Sequence, residues 1–145
     1  MINYCEPEIP EIYWINSLTY KCENCGNVFE LTFTNGYDVI KLKEINGDEI
    51  RWLPTYGKGG YLDLITKLIP EHSKDDVITM IESKKFIKEL KKYSEKGSNG
   101  QGFDFSIARH ECINCKSKEL KILDEKVLMK PKLTWLKISC ELKNR

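Results

Sequence analysis

Histidine is almost missing from this chain: 145 residues hold only two, His72 and His110, in unrelated contexts. No His-Glu-x-x-His, Ser-His-Asp or nucleophile-elbow pattern goes with them, so the common hydrolase and metalloprotease signatures are absent. No spacing among the acidic residues singles out a carboxylate pair for acid–base work. No apolar run approaches the roughly 20 residues that cross a bilayer as a helix. The first 14 residues, MINYCEPEIPEIYW, have neither the basic start nor the apolar core of a secretion signal. The expectation is a cytoplasmic protein with no membrane partner. An excess of one charge is lacking too: 23 Lys/Arg stand against 22 Asp/Glu, a net of +1. That balance gives little support to strong nonspecific phosphate binding.

What is present describes a folded domain. Apolar residues make up 41% and charged residues 31% of the chain, a globular composition. The length suits one domain with one core. Charge is nevertheless uneven along the sequence. Residues 1–72 hold 6 Lys/Arg against 11 Asp/Glu, and residues 73–145 hold 17 against 11. The two halves attract each other within one fold, or one of them offers an acidic or basic docking surface.

Periodicity outlines the elements. Residues 1–14 read as an extended arm pinned by Tyr13 and Trp14. Strands are expected over 17–21 and 28–34, the second because Phe29, Leu31 and Phe33 alternate with Glu30, Thr32 and Thr34. Asn-Gly at 35–36 and 46–47 marks two hairpin turns, with strands at 39–45 and 50–53 around the second. The N-terminal third thus reads as a β-meander. Helices follow: one over 61–69, ended by Pro70, and one over about 74–93, opened by the Ser73…Asp76 spacing or broken near Ser83. Residues 95–102, with three glycines, read as a flexible loop. Period two returns at Phe103, Phe105 and Ile107, and 118–124 and 132–142 read as a C-terminal β-segment. Meander, helices, then strands predict an α+β fold. It is organised as a single domain, 1–145, with a helical insertion at about 61–94.

The chemistry lies in the cysteines. "CENCG" and "CINCK" place Cys22 and Cys25, then Cys112 and Cys115, three apart between strand-like segments. A Cys-x-x-Cys turn at a hairpin tip points two thiolates at one ion, and two such turns close a tetrahedral site suited to Zn²⁺. Gly26 eases the backbone after the first pair, and Lys116 offsets thiolate charge after the second. Other readings compete. A redox pair needs a helix N-terminus in a βαβ context, disulfides are rare in a reducing cytosol, and two separate ions each need further ligands. One ion shared by all four cysteines accounts for both pairs at once. Iron satisfies the same ligands. Of the spare thiols, Cys140 alternates with Ile138 and Leu142 and reads as a buried apolar cysteine. Cys5 sits in the arm, within reach of a substituting ligand role. His110, two residues before Cys112, reads as an outer neighbour of the metal or an exposed strand residue.

On these residues the sequence resembles the zinc-ribbon proteins, and the first knuckle resembles the rubredoxin type. The resemblance covers roughly 30 residues around the four cysteines. The 86 residues between the pairs exceed the roughly 15–20 of a compact ribbon, which makes the helical part an insertion between knuckles. The resemblance implies a structural site and, as zinc ribbons often show, nucleic-acid binding.

One further stretch stands out. Trp52, Tyr56, Gly57, Lys58, Gly59, Gly60 and Tyr61 precede a helix, where free amides can hold an anion or exposed aromatics can meet a partner. The Walker A spacing is absent, and a plain strand-to-helix turn packed by aromatics fits equally. Lys84, Lys88 and Lys91 share one helix side, as a solvated face or a phosphate footprint. The expected function is a small zinc-binding protein-interaction module with a structural four-cysteine site. The alternative is a nucleic-acid-binding zinc ribbon, and enzymatic or thiol-redox roles come after both. A four-cysteine site leaves no open position for catalysis.

Overall fold

The computed structural model describes residues 2–34, 38–70, 80–106 and 109–145, with the side chains of 80–82 left aside. In chain order the elements are β1 (Tyr4–Cys5), β2 (Trp14–Cys22), β3 (Val28–Thr34), β4 (Val39–Glu44), β5 (Ile50–Pro54), α1 (Tyr61–Leu68), α2 (Met80–Tyr93), β6 (Phe103–Phe105), β7 (Leu120–Met129), β8 (Ile138–Ser139) and α3 (Cys140–Lys143). Named strands pair antiparallel throughout, and the fold is α+β. The chain divides into two compact units. One comprises Met1–Pro10, Tyr37–Ser106 and Leu133–Arg145; the other comprises Glu11–Gly36 and Ile107–Lys132.

The larger unit holds the sheet β5-β4-β6, the short pair β1-β8 and the three helices. Its core is apolar, with Leu42, Leu53, Leu64, Phe86, Leu90, Leu136, Ile138 and Leu142 fully buried. Burying each such side chain stabilises by about 1.5–3 kcal/mol relative to exposure. Tyr61 meets Phe86 edge-on at 5.0 Å between ring centres, a favoured aromatic geometry. The smaller unit is a three-stranded sheet ordered β3-β2-β7. The strands expected around the second Asn-Gly are β4 and β5, and Asn46 takes a left-handed φ of 56° in their turn. The two hairpins of the N-terminal third fall in separate sheets, β2–β3 in one and β4–β5 in the other.

Several expectations change. The turn at 35–36, the Ser73…Asp76 cap, Val77, His72 and Ile107 lie outside the described residues. No break occurs near Ser83, because α2 runs unbroken from Met80 to Tyr93. Of the C-terminal β-segment, 118–124 falls largely in β7, whereas within 132–142 the named strand is only Ile138–Ser139. The chain then turns helical, because the Ser139 hydroxyl accepts from the Leu142 N–H and so caps α3. Cys140 is half-buried and disulfide-bonded to Cys5, with Cα atoms 5.1 Å apart. Neither the lone apolar role for Cys140 nor the ligand role for Cys5 holds. The reason is local: β1 pairs with β8, and the Cys140 N–H donates to the Asn3 carbonyl at 2.9 Å.

The glycine-rich stretch 95–102 is pinned rather than free. Its anchor is Glu44, buried at the end of β4 at 4% exposure. The Ser98 hydroxyl and the Asn99 N–H both donate to the Glu44 carboxylate, at 3.1 and 3.3 Å. A Cβ on Gly97 or Gly47 would overlap that carboxylate and displace it. Burial pushes the Glu44 carboxyl up, but the N–H groups of Asn99, Ser98 and Glu49 and the Ser98 hydroxyl outweigh it and hold the pKa down. A carboxyl with a depressed folded-state pKa stabilises fully above its unfolded value, about 4.3. The stabilisation is lost as pH falls through the folded value. Thermal melts of wild type and Glu44→Gln should therefore differ at pH 7, with wild type the more stable, and converge as the buffer is taken below the folded-state pKa. A gap unchanged across that range would mean that Glu44 acts through shape alone.

Candidate metal centre

The four cysteines meet because β2 and β7 pair. β2 ends at Cys22, which lies opposite Leu120, the first residue of β7. Cys115 stands five residues ahead of Leu120 in sequence. The backbone joins the two ends directly, with the Glu23 N–H donating to the Glu119 carbonyl at 2.8 Å. Pairing two strands nearly a hundred residues apart thus sets one Cys-x-x-Cys turn against the other.

The turns are near copies. In the first, Gly26 N–H donates to Cys22 C=O at 2.8 Å and Cys22 N–H to Asn27 C=O at 2.9 Å. In the second, Lys116 N–H donates to Cys112 C=O at 2.9 Å and Cys112 N–H to Ser117 C=O at 2.8 Å. The residue after each pair is left-handed, Gly26 at φ 76° and Lys116 at φ 65°. Glycine takes that region freely, whereas lysine does so at a cost. Amides point at the inner sulfurs: Cys25 N–H at Cys22 Sγ (3.4 Å), and Asn114 and Cys115 N–H at Cys112 Sγ (3.4 and 3.5 Å).

All four sulfurs lie within 4.8 Å of one another. Cys22 and Cys115 sulfurs are 3.6 Å apart, as are those of Cys25 and Cys112. A tetrahedron with 2.3 Å metal–sulfur bonds places its sulfurs about 3.8 Å apart, so the donor set and the spacing both fit a metal ion. Cys22 and Cys112 are buried, Cys25 and Cys115 exposed. Tyr20, Phe29, Leu18, Leu31 and Phe33 pack beside the inner pair.

The repeated asparagine has a structural reason. Asn24 Nδ2 approaches Cys115 Sγ at 3.6 Å, and Asn114 Nδ2 approaches Cys25 Sγ at 4.0 Å. Each turn's side chain thus faces the exposed sulfur of the other. The thiols are electrostatically unequal. The Cys115 amide, then the Asn114 amide and the neighbouring thiols, lower Cys112 to about 6 against the effect of burial. The Ser117 amide and the Asn24 side chain lower Cys115. For Cys25 the Asn27 amide favours the thiolate, but burial and the competing thiols of Cys112, Cys115 and Cys22 raise it to about 11.

His110 is not among the converging ligands. It stacks on Phe33 with ring centres 5.0 Å apart, and its Nδ1 lies 2.8 Å from the Tyr20 hydroxyl. The loop at 52–61 also divides differently from the sequence reading. Trp52, Gly59, Gly60 and Tyr61 are buried, while Tyr56, Gly57 and Lys58 are exposed. Two of its amides are already taken: Gly59 N–H donates to Asp63 Oδ2 at 2.8 Å, and Gly60 N–H to Gly57 C=O at 3.1 Å. Lys67 pairs with that same Asp63 oxygen at 2.9 Å, so a side-chain carboxylate occupies the anion position. Lys84, Lys88 and Lys91 are exposed on α2.

Sequence reasoning missed the Cys5–Cys140 bond, for which an even total of six cysteines was the available signal. It also missed β7 as an exposed edge strand. Comparison with protein families, with curated proteins and with solved structures finds no match.

The matched turns generate a test of their backbone. Gly26→Ala meets no atom within 4 Å, so its cost is conformational, and it should lower stability by about 1–2 kcal/mol in denaturant melts. Lys116→Gly should raise it by a smaller amount. Equal effects of the same sign would mean that the two turns are not held alike.

Proposed function

We propose that the four cysteines hold one Zn²⁺ as a structural ion and that the protein is a protein-interaction module. The convergence of Cys22, Cys25, Cys112 and Cys115 within 4.8 Å carries the metal half of this reading. Zinc suits a closed, redox-inert, four-thiolate role, and iron is the alternative occupant of the same ligands. Such an ion would tie the end of β2 to the approach of β7 across a long loop. Its binding free energy would then act as folding free energy.

The interaction half rests on β7. Among the described residues it pairs with β2 alone, leaving its other edge of N–H and C=O groups without a strand partner. Ile122, Val127 and Met129, opposite Tyr20, Asn16 and Trp14 and so on one sheet face, are 56%, 56% and 65% exposed. An apolar edge of this kind is a docking template for another chain. Tyr56 beside Lys58 offers a second exposed contact in the loop at 52–61.

Nucleic-acid binding has less support. Both compact units are nearly neutral by sequence, with 15 Lys/Arg against 15 Asp/Glu in the larger and 8 against 7 in the smaller. The charge asymmetry along the chain is interleaved rather than segregated. A cytoplasmic location remains part of the proposal. No helix among the described residues is long and apolar enough to cross a membrane, while the Cys5–Cys140 bond fits oxidising surroundings better.

Native mass spectrometry of protein purified without added metal should find one zinc per chain. Cys22→Ser and Cys115→Ser should each lose the ion and melt earlier. Unchanged metal content and melting in both variants would exclude the shared site. For the second half, Val127→Asp with Met129→Asp should abolish capture of a protein partner from cell extract, with nuclease making no difference. Capture that instead disappears with nuclease or moderate salt would move the reading to nucleic acid.

A further inference from the structure

The Cys5–Cys140 bond stands apart from the four-cysteine cluster and within the larger unit. What it holds is the N-terminal arm. Below Cys5, the arm makes two further contacts with the glycine loop. The Glu8 N–H donates to the Lys58 carbonyl at 2.8 Å. Pro7, itself buried, lies so near Gly59 that a Cβ there would stand 3.2 Å from Pro7 Cα and 2.9 Å from Ile138 Cδ1. Above it, two residues of β1 pair with β8 and the Cys140 N–H reaches the Asn3 carbonyl. Gly59 is buried under this cover, while Tyr56, Gly57 and Lys58 remain exposed.

The arm's attachment is therefore slight except for one covalent bond. Among the described residues, its noncovalent part includes a two-residue strand pair, packing of β1 against α3, one loop hydrogen bond, one backbone bond at Asn3 and the burial of Pro7. Tyr4, Glu6, Glu8 and Ile9 along it are exposed. Both cysteines are half-buried rather than sealed.

We propose that Cys5–Cys140 is a reversible dithiol–disulfide catch, and that its reduction frees the N-terminal arm and uncovers Gly59 and the β8 edge. The co-reactant is a dithiol. It passes through a mixed disulfide with one cysteine and leaves as its own cyclic disulfide, giving up two electrons and two protons. The Cys5–Cys140 sulfur–sulfur bond breaks, and each sulfur takes one hydrogen. The reverse step needs an oxidised dithiol of the same class. In the reduced state β8 loses its strand partner β1, so Ile138 and Ser139 offer their backbone to another extended segment.

The test is hydrogen exchange followed by mass spectrometry, on oxidised protein, on protein reduced by a dithiol with zinc replenished, and on a Cys5→Ser, Cys140→Ser variant. The oxidised chain should be lighter than the reduced one by two hydrogens. Amides of residues 2–9 and of Cys140 should exchange about tenfold or more faster once the bond is gone. Those of α2 should keep their rates in both the reduced protein and the variant. Unchanged protection of the arm would show that the noncovalent contacts hold it without the bond, and would overturn the proposal. Faster exchange throughout, α2 included, would make the bond a staple for the whole unit and would overturn it equally. So would protein that stays two hydrogens heavier after exposure to an oxidised dithiol.

Discussion

The antiparallel register of β2 on β7 is the constraint from which the candidate site follows. It sets Cys22 opposite Leu120, and that single pairing decides that two Cys-x-x-Cys turns share one place rather than lie apart. β2 is the central strand of its sheet, with β3 on one side and β7 on the other. A one-residue slip of β7 would exchange its faces and carry Ile122, Val127 and Met129 to the other side. The extra residue Leu123, where the register shifts between Thr19 and Tyr20, is a bulge that turns the strand as it approaches the knuckle. The cysteine geometry and the exposed apolar stripe are thus two results of one ladder.

Local features were legible wherever the physics is local. Phe29, Leu31 and Phe33 alternate, and β3 occupies the expected 28–34. The Cys-x-x-Cys spacing marked two turns, and they share one backbone hydrogen-bond pattern. Helices α1 and α2 lie where apolar spacing puts them. The segment 138–142 was ambiguous for a physical reason. Ile138, Cys140 and Leu142 satisfy a period of two, yet Ile138 and Leu142 also satisfy i, i+4, and Ser139 supplies the cap that decides between them.

Long-range features were not legible. Nothing near residues 14–22 announces a second partner nearly a hundred positions later, and nothing in Glu44 alone predicts that two glycine turns will close on it. The residues 95–102 looked flexible because their composition is that of a linker. They are held because one buried carboxylate needs donors and finds them there. In the same way Cys5 and Cys140 are each unremarkable in sequence. Only the meeting of the two chain ends in β1 and β8 makes them a pair.

The interleaving of the two units also governs the order in which the molecule can be made. Strand β2 emerges from the ribosome early, but its partner β7 follows about a hundred residues later, roughly 5–20 s at ordinary elongation rates. Throughout that interval the β2–β3 hairpin lacks the partner of its β2 edge and carries two of the four clustered cysteines. A lone two-stranded hairpin is marginal in water, so the nascent chain must wait or be shielded. The larger unit waits longer still, because β8, which brings Ile138 to its core, follows β7 in the chain. Neither unit is complete until its late strand, β7 in one and β8 in the other, has been made.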